Sequence, residues 1–320
     1  MKLVFMGTPE FAVPILRGLI GAGYAVSAVY TRPDAPAGRG RSLTASRVKA
    51  LADGLGLKII QPRSLKKPEV AEELRSLAPD AIIVAAYGLI LPQSVLQIPM
   101  YGCINVHASL LPRHRGAAPV AAAILAGDES TGVSIMRMDA GIDTGPVFAT
   151  ASTPICDNDT TGSLTERLAC LGSNLLLEVL PRITGSEIAP APQPAAGATY
   201  APMLSKEQGC IDWNRPAIEI WRQVRAFQPW PGAFTTWEGR LLKLIETRPL
   251  DIPAAAPAGA VTALAGQPSM PFGIVTGDGV LGVKGLQQEG KKAATADEFL
   301  RGARGFEGAI LGQDQCRKSP

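Results

Sequence analysis

Short apolar runs alternate with helix-spaced segments through the first half of this 320-residue chain, and that alternation restricts the fold more than any other feature. Leu3–Met6, Ala25–Tyr30, Leu57–Ile60, Ala81–Ala85 and Cys103–Val106 read as buried strands. Between them, Phe11–Ala22, Ser46–Gly54 and Pro68–Leu77 carry apolar residues at helical spacing. A parallel strand cannot return to its neighbour through a tight hairpin, so β-α-β alternation implies a parallel sheet with helices on both faces.

Val133–Met138 and Val147–Ser152 read as two further strands joined by an irregular loop. Thr161–Ile183 is a long helix with its apolar face formed by Leu164, Leu168, Leu171, Leu175 and Val179. The composition then changes, since Ile188–Gly197 is rich in Pro and Ala and is expected to be an extended connector. Beyond Ser205, one helical stretch at Ala217–Ala226 precedes short β-like runs at Ala233–Trp237, Leu241–Ile245, Gly259–Ala263, Phe272–Val275 and Val280–Val283. The expected architecture is α/β, with a Rossmann-like mostly parallel sheet and a second, smaller OB-like β-barrel domain. Its boundaries are a first domain over 1–183, a linker over 184–204, a second domain over 205–313 and a tail over 314–320.

Composition narrows the function classes. With 31 Lys+Arg against 28 Asp+Glu the net charge is only +3, so no polybasic coat is present and any RNA contact must come from a local patch. No apolar run approaches the ~20 residues needed to span a bilayer. The apolar start at Met1–Phe5 is broken by Gly7-Thr8-Pro9-Glu10, too soon for a secretory leader. The five cysteines are scattered with no C-x-x-C pair, which indicates neither a zinc site nor a disulfide framework. The expectation is a cytoplasmic, monomeric protein without metal or membrane attachment.

The first strand-to-helix turn, Phe5-Met6-Gly7-Thr8-Pro9-Glu10-Phe11, keeps only the first glycine of a dinucleotide fingerprint. Glu10 at the helix start would oppose a pyrophosphate. The reading preferred here is a turn capped by Thr8. The chain has two histidines, and one of them, His107, ends the strand that also carries Asn105. Period-two alternation puts both on one side of that strand, at the end where parallel sheets bind ligands. An amide and an imidazole there can donate to an oxygen gaining negative charge, or handle a proton. A satisfied pair capping the strand is the competing interpretation. The tight loop Met138–Pro146 brings two acids; Asp139 reads as an Asx turn and Asp143 as the carboxylate partner of the imidazole. Cys103, two residues before Asn105, reads as core, and His114 as a surface-loop residue near the substrate mouth.

Asn105, His107, the run Ser109-Leu110-Leu111-Pro112 and the Asp143 loop together resemble the formyltetrahydrofolate-dependent formyltransferase family. The resemblance runs from Gly7-Thr8-Pro9-Glu10-Phe11-Ala12 to Gly290-Lys291-Lys292. It implies that Asn105, His107 and Asp143 are the catalytic trio and that 10-formyltetrahydrofolate is the formyl donor, with no metal. It also implies that Ala85, Ala86, Tyr87, Gly88, Leu89, Ile90 and Leu91 border the folate pocket together with Ser109, Leu110, Leu111 and Pro112.

Members of the family differ in the amine they formylate. Thr31–Ser42 is a Gly- and Arg-bearing insertion whose neighbourhood, Arg32 to Lys49, holds Arg32, Arg39, Arg41, Arg47 and Lys49 against the single acid Asp34. Such a loop suits RNA phosphates or base edges, although a solvated charged loop has the same composition. The resemblance matches it to an acceptor-stem loop, with Arg39 in the key arginine place. It thereby implies transfer to the α-amine of methionine on charged initiator tRNA, with tRNA contacts at Arg39, Arg41 and Lys206. Trp213, Phe227 and Trp230 read as packing residues in preference to base platforms. The chain departs from the family pattern at Met203, where a lysine is usual. A sugar-nucleotide or other small-amine formyltransferase, a formyltetrahydrofolate hydrolase and a non-enzymatic OB-type RNA binder are the alternatives. Arg39→Ala is expected to impair transfer to charged tRNA while sparing transfer to a small amine; equal loss with both acceptors would assign Arg39 to the fold or the chemistry.

Overall fold

The computed structural model describes the chain except for residues 38–41, 254, 268 and 313–320. It divides into two compact units. The first comprises Met1–Val120, Glu129–Ile155 and Ser163–Pro202, and the second Ala121–Asp128, Cys156–Gly162 and the chain from Met203 onward.

In the first unit the strands are β1 (Lys2–Gly7), β2 (Ala25–Tyr30), β3 (Ala35–Ala37), β4 (Ser42–Thr44), β5 (Ile59–Ile60), β6 (Ala81–Ala85), β7 (Cys103–His107), β8 (Arg115–Gly116), β9 (Ser130–Arg137), β10 (Val147–Pro154) and β11 (Tyr200–Ala201). The helices of the first half are α1 (Ala12–Gly21), α2 (Arg47–Gly54), α3 (Pro68–Ser76), α4 (Gln93–Leu96), α5 (Pro119–Ala126) and α6 (Thr161–Thr184). The main sheet has seven strands in the order β10-β9-β7-β6-β1-β2-β5. From β7 to β5 all pairs are parallel, whereas β9 joins β7 and β10 joins β9 antiparallel. The chain leaves β1 toward β2 and β5, then returns to β1's other side as β6. The crevice at that reversal, beyond the strands' C-terminal ends, is where such sheets take ligands. The inner strands are covered on both faces, β6 and β7 being buried throughout, whereas the edge strand β10 alternates partly buried and exposed residues.

Two short helices escaped the periodicity argument. Pro119–Ala126 is apolar almost all round and so lacks an amphipathic signature, and Gln93–Leu96 is a single turn. Thr8 does not cap α1: Phe11 holds the N-cap position without a side-chain bond, and the Thr8 hydroxyl donates elsewhere. Ser46, by contrast, caps α2 by accepting from Lys49 N–H.

The second unit is an antiparallel curled sheet. It comprises β12 (Ala233–Trp237), β13 (Arg240–Leu250), β14 (Val261–Ala263), β15 (Phe272–Val275), β16 (Val280–Gln288) and β17 (Ala294–Thr295). Its order is β12-β13-β16-β15-β14, with β17 on β16. A 3₁₀ turn at Glu207–Gly209 precedes α7 (Ala217–Ala226), and α8 (Ala296–Leu300) follows β17. That last helix was not anticipated, although Thr295 and Glu298 form a capping box. Trp213 and Phe227 are buried, the former donating its indole N–H to Thr235 Oγ1 at 3.1 Å, while Trp230 is 54% exposed. Lys206 is exposed at the start of the 3₁₀ turn. Cys210 is disulfide-bonded, although the scattered cysteines indicate no disulfide framework. Among the described residues, no helix is long and apolar enough to cross a membrane.

The α6 helix lies close on the site-bearing strands. A Cβ on Gly172 would stand 2.7 Å from Val106 Cγ1 and 3.2 Å from Val133 Cγ1, so only glycine permits this approach. Gly172→Val is expected to destabilise the first unit by about 1–3 kcal/mol through overpacking. Thermal unfolding checks this: the midpoint falls by several degrees relative to the parent protein.

Candidate active site

The site is built at the C-terminal end of β7. Asn105 pairs with Met136 and His107 with Ser134 of β9, so the antiparallel hairpin β9–β10 lies against the strand that carries both side chains. That placement brings the β9–β10 loop, and Asp143 with it, to the same end of the sheet. Asn105 and His107 are 7% and 6% exposed.

The distances define the chemistry. His107 Nε2 lies 3.0 Å from the carbonyl oxygen of His114. A carbonyl can only accept, so Nε2 carries the hydrogen and Nδ1 is left facing Asp143. Nδ1 lies 3.7 Å from Asp143 Oδ2, an ion-pair separation longer than a hydrogen bond. The carboxylate's close bonds go elsewhere: Gly116 N–H donates to Oδ2 at 2.9 Å, and Asn105 Nδ2 donates to Oδ1 at 3.4 Å. An amide nitrogen carries two hydrogens, and the bond to Asp143 uses one. Asp143 itself sits at φ +51°, in the left-handed region that Asp tolerates better than most side chains. Asp139 makes the expected Asx turn, accepting from Gly141 N–H at 3.0 Å and from the Thr144 hydroxyl at 2.7 Å.

His114 differs from expectation. It is buried, at φ +56°, with its N–H donating to Thr199 Oγ1 at 2.8 Å. Its carbonyl is what fixes the His107 ring, so the residue contributes its backbone to the site. The neighbouring run Ser109-Leu110-Leu111-Pro112 is held from β9. Ser134 Oγ donates to Ser109 O at 2.7 Å and accepts from Leu111 N–H at 3.0 Å, while the fully buried Ser109 hydroxyl donates to Arg113 O at 2.6 Å.

The 85–91 loop leaves β6 beside the sheet's reversal point. Ala86 and Gly88 take φ of +45° and +82°, which turns the chain sharply. The Thr8 hydroxyl spans the crevice from β1, donating to Tyr87 O at 2.9 Å and accepting from Arg32 N–H at 3.4 Å. Tyr87 and Leu91 are buried, and burial pushes the Tyr87 phenol above its ordinary range. Ile90 is 77% exposed. Ala85 completes β6, and Leu89 packs against the core.

The arginine-bearing insertion is flanked by the antiparallel pair β3–β4; Arg39 and Arg41 lie outside the described residues. Two of its neighbouring cations are already paired. Lys49 Nζ meets Asp34 at 2.6 Å and Arg47 meets Glu10 at 3.2 Å.

The profile described as "Formyl transferase" matches residues 1–180, and "Formyl transferase, C-terminal domain" matches 203–304. The chain belongs to the formyl transferase family. It is 51% identical to the methionyl-tRNA formyltransferase of Dehalococcoides mccartyi over 312 residues, covering 98% of this chain and 99% of the relative. It is 46% identical to that of Methylococcus capsulatus, covering 98% and 100%. Among solved structures, the fold is similar to an N-formyltransferase of Helicobacter canadensis, described as a complex with folinic acid and dTDP-3-aminofucose. The TM-score is 0.65 at 21% identity, covering 88% of this chain and 98% of that one.

Sequence reasoning missed Gln193, which lies in the Pro/Ala-rich stretch and bonds to the backbone of the Asp143 loop. It also missed Ser134, Thr199 and the role of the His114 carbonyl. Cys103 is core as expected, and burial pushes its thiol up to about 12. Iodoacetamide at pH 8 is therefore expected to label the exposed Cys156 and Cys170 in the native protein and to spare Cys103, as read by peptide mass spectrometry.

Proposed function

We propose that this formyl transferase moves the formyl group of 10-formyltetrahydrofolate to the α-amine of methionyl initiator tRNA, yielding N-formylmethionyl-tRNA for translation initiation. The observation that carries this reading is the near end-to-end identity to methionyl-tRNA formyltransferases, which spans both halves of the chain. In this assignment Asn105, His107 and Asp143 are the catalytic residues. The first domain, 1–183, does the chemistry, 184–204 links, and 205–313 grips the tRNA with Lys206, while Arg39 and Arg41 meet the acceptor end. The protein works as a cytoplasmic monomer.

The residues present fit such a donor. A formyl oxygen needs hydrogen-bond donors in a dry place, and the Asn105 amide and His107 ring are buried at the strand end. A flat pterin needs apolar surface with a few polar groups, and Ile90 offers the former on the 85–91 loop. Folate contacts are assigned to Ala85–Leu91 and to Ser109–Pro112, largely through backbone groups.

The donor supplies the formyl carbon. The neutral amine attacks it, a new C–N bond forms, and the bond to N10 breaks as N10 takes up the proton that the amine releases by way of Asp143. Asn105 Nδ2–H and protonated His107 stabilise the oxygen that gains charge, each well-placed donor being worth about 2.7–4 kcal/mol in the transition state. Asp143 stands at ion-pair distance from Nδ1 and takes the proton lost by the amine, directly or through water.

Incubation with 10-formyltetrahydrofolate and charged initiator tRNA is expected to produce formylmethionine. A sugar nucleotide in place of tRNA tests the small-amine alternative, and omission of RNA tests hydrolysis. Asn105→Ala is expected to lower kcat by about 10²–10³-fold. His107→Ala should abolish most turnover while leaving folate binding nearly intact; unchanged turnover would remove His107 from its role.

A further inference from the structure

We propose that Gln193 is a positioning residue for formyl transfer, holding the Asp143 loop in its working shape from a segment that otherwise reads as a passive connector. The inference rests on the assignment of Asn105, His107 and Asp143 as the catalytic residues.

The Gln193 amide uses both ends. Its Nε2 donates to the carbonyl oxygen of Asp143 at 2.8 Å and to that of Gly145 at 2.7 Å. Its Oε1 accepts from Arg115 Nε at 3.0 Å and Nη2 at 2.7 Å. Carbonyls only accept and a guanidinium only donates, so the orientation of the amide is fixed by its partners. The two carbonyls are that of Asp143 itself, the residue at which the loop passes through left-handed backbone, and that of Gly145 two residues on. One side chain thus holds the loop at and just after the residue whose carboxylate enters the site, and it is itself anchored by a buried guanidinium.

The same stretch of chain reaches the other members of the site at one remove. Ala191 and Val147 exchange backbone bonds of 2.8 Å just beyond the loop. Thr199 Oγ1 accepts from His114 N–H, and His114 O is the acceptor for His107 Nε2. Tyr200 and Ala201 pair in parallel with Arg115 and Gly116, and Gly116 N–H is the donor to Asp143 Oδ2. At Gly116 a Cβ would lie 2.6 Å from Ala201 O, so the two backbones are in close contact there. Residues 191–201 therefore brace the backbone of Asp143 directly, and its carboxylate and the imidazole each through one intermediate, Gly116 and His114.

Gln193→Glu separates positioning from folding. A carboxylate at 193 keeps a partner for Arg115 but cannot donate to the two loop carbonyls. The double variant R115M/Q193M removes both the buried cation and the clamp at similar volume. In steady-state formylation with charged initiator tRNA, both variants are expected to lower kcat on the order of tenfold to hundredfold, the scale of a small misplacement of a reacting group. KM for donor and acceptor should stay within about twofold, with the thermal midpoint of Q193E near that of the parent. A variant with parental kcat overturns the proposal. So does a loss confined to KM, or one that follows the unfolded fraction measured by circular dichroism. Asp143→Asn and His107→Ala are assayed alongside. If these remain active the catalytic assignment itself fails, whereas if they are inactive and Q193E is unimpaired only the role of Gln193 fails.

Discussion

A buried imidazole and a buried amide at the end of a strand must be met by other polar groups, and the loops around β7 are shaped by that demand. Leaving such a group unsatisfied costs about 1–3 kcal/mol, comparable with the strain of a non-glycine residue in left-handed backbone. The chain accepts the latter at His114 and Asp143, at φ +56° and +51°. In return the His114 carbonyl meets His107 Nε2, and the Asp143 carboxylate meets Asn105 and Gly116. The unusual backbone is explained by the polar atoms it satisfies.

The sheet explains why those atoms converge. Parallel strands deliver their C-terminal ends to one edge, so Thr8, Tyr87 and His107 arrive together from β1, β6 and β7 although they are far apart in sequence. The antiparallel hairpin β9–β10 then adds its loop at the same end. An all-parallel continuation would have sent the chain back through a crossover helix and put the next loop elsewhere.

Elements whose identity is carried by local pattern were legible in the sequence. Ala25–Tyr30, Ala217–Ala226 and Phe272–Val275 are strands or helices with the bounds that apolar spacing predicts. Asn105 and His107 were legible because a strand alternates its faces, and Asp139 because an Asx turn is local. Gln193 was not, since a glutamine among prolines and alanines has no period and its partners lie about fifty and eighty residues away. His114 was misread for a related reason: loops are ordinarily at the surface, and its burial comes from Thr199, a distant contact. Charge was legible only in part. Of the cations around the insertion, Arg47 and Lys49 are held by Glu10 and Asp34, pairings that a simple count of basic residues does not reveal.

The bracing stretch after α6 changes what counts as a self-sufficient half of this chain. A fragment ending at Ile183 would include every strand of the seven-stranded sheet and all three proposed catalytic side chains. It would lack Gln193, Thr199 and Ala201, and with them the partners of Arg115, of His114 N–H and of the Gly116 backbone. For anyone dissecting the chain, a cut after Pro202 keeps these braces with the site, although Ala121–Asp128 and Cys156–Gly162, which belong to the second compact unit, stay on the first fragment.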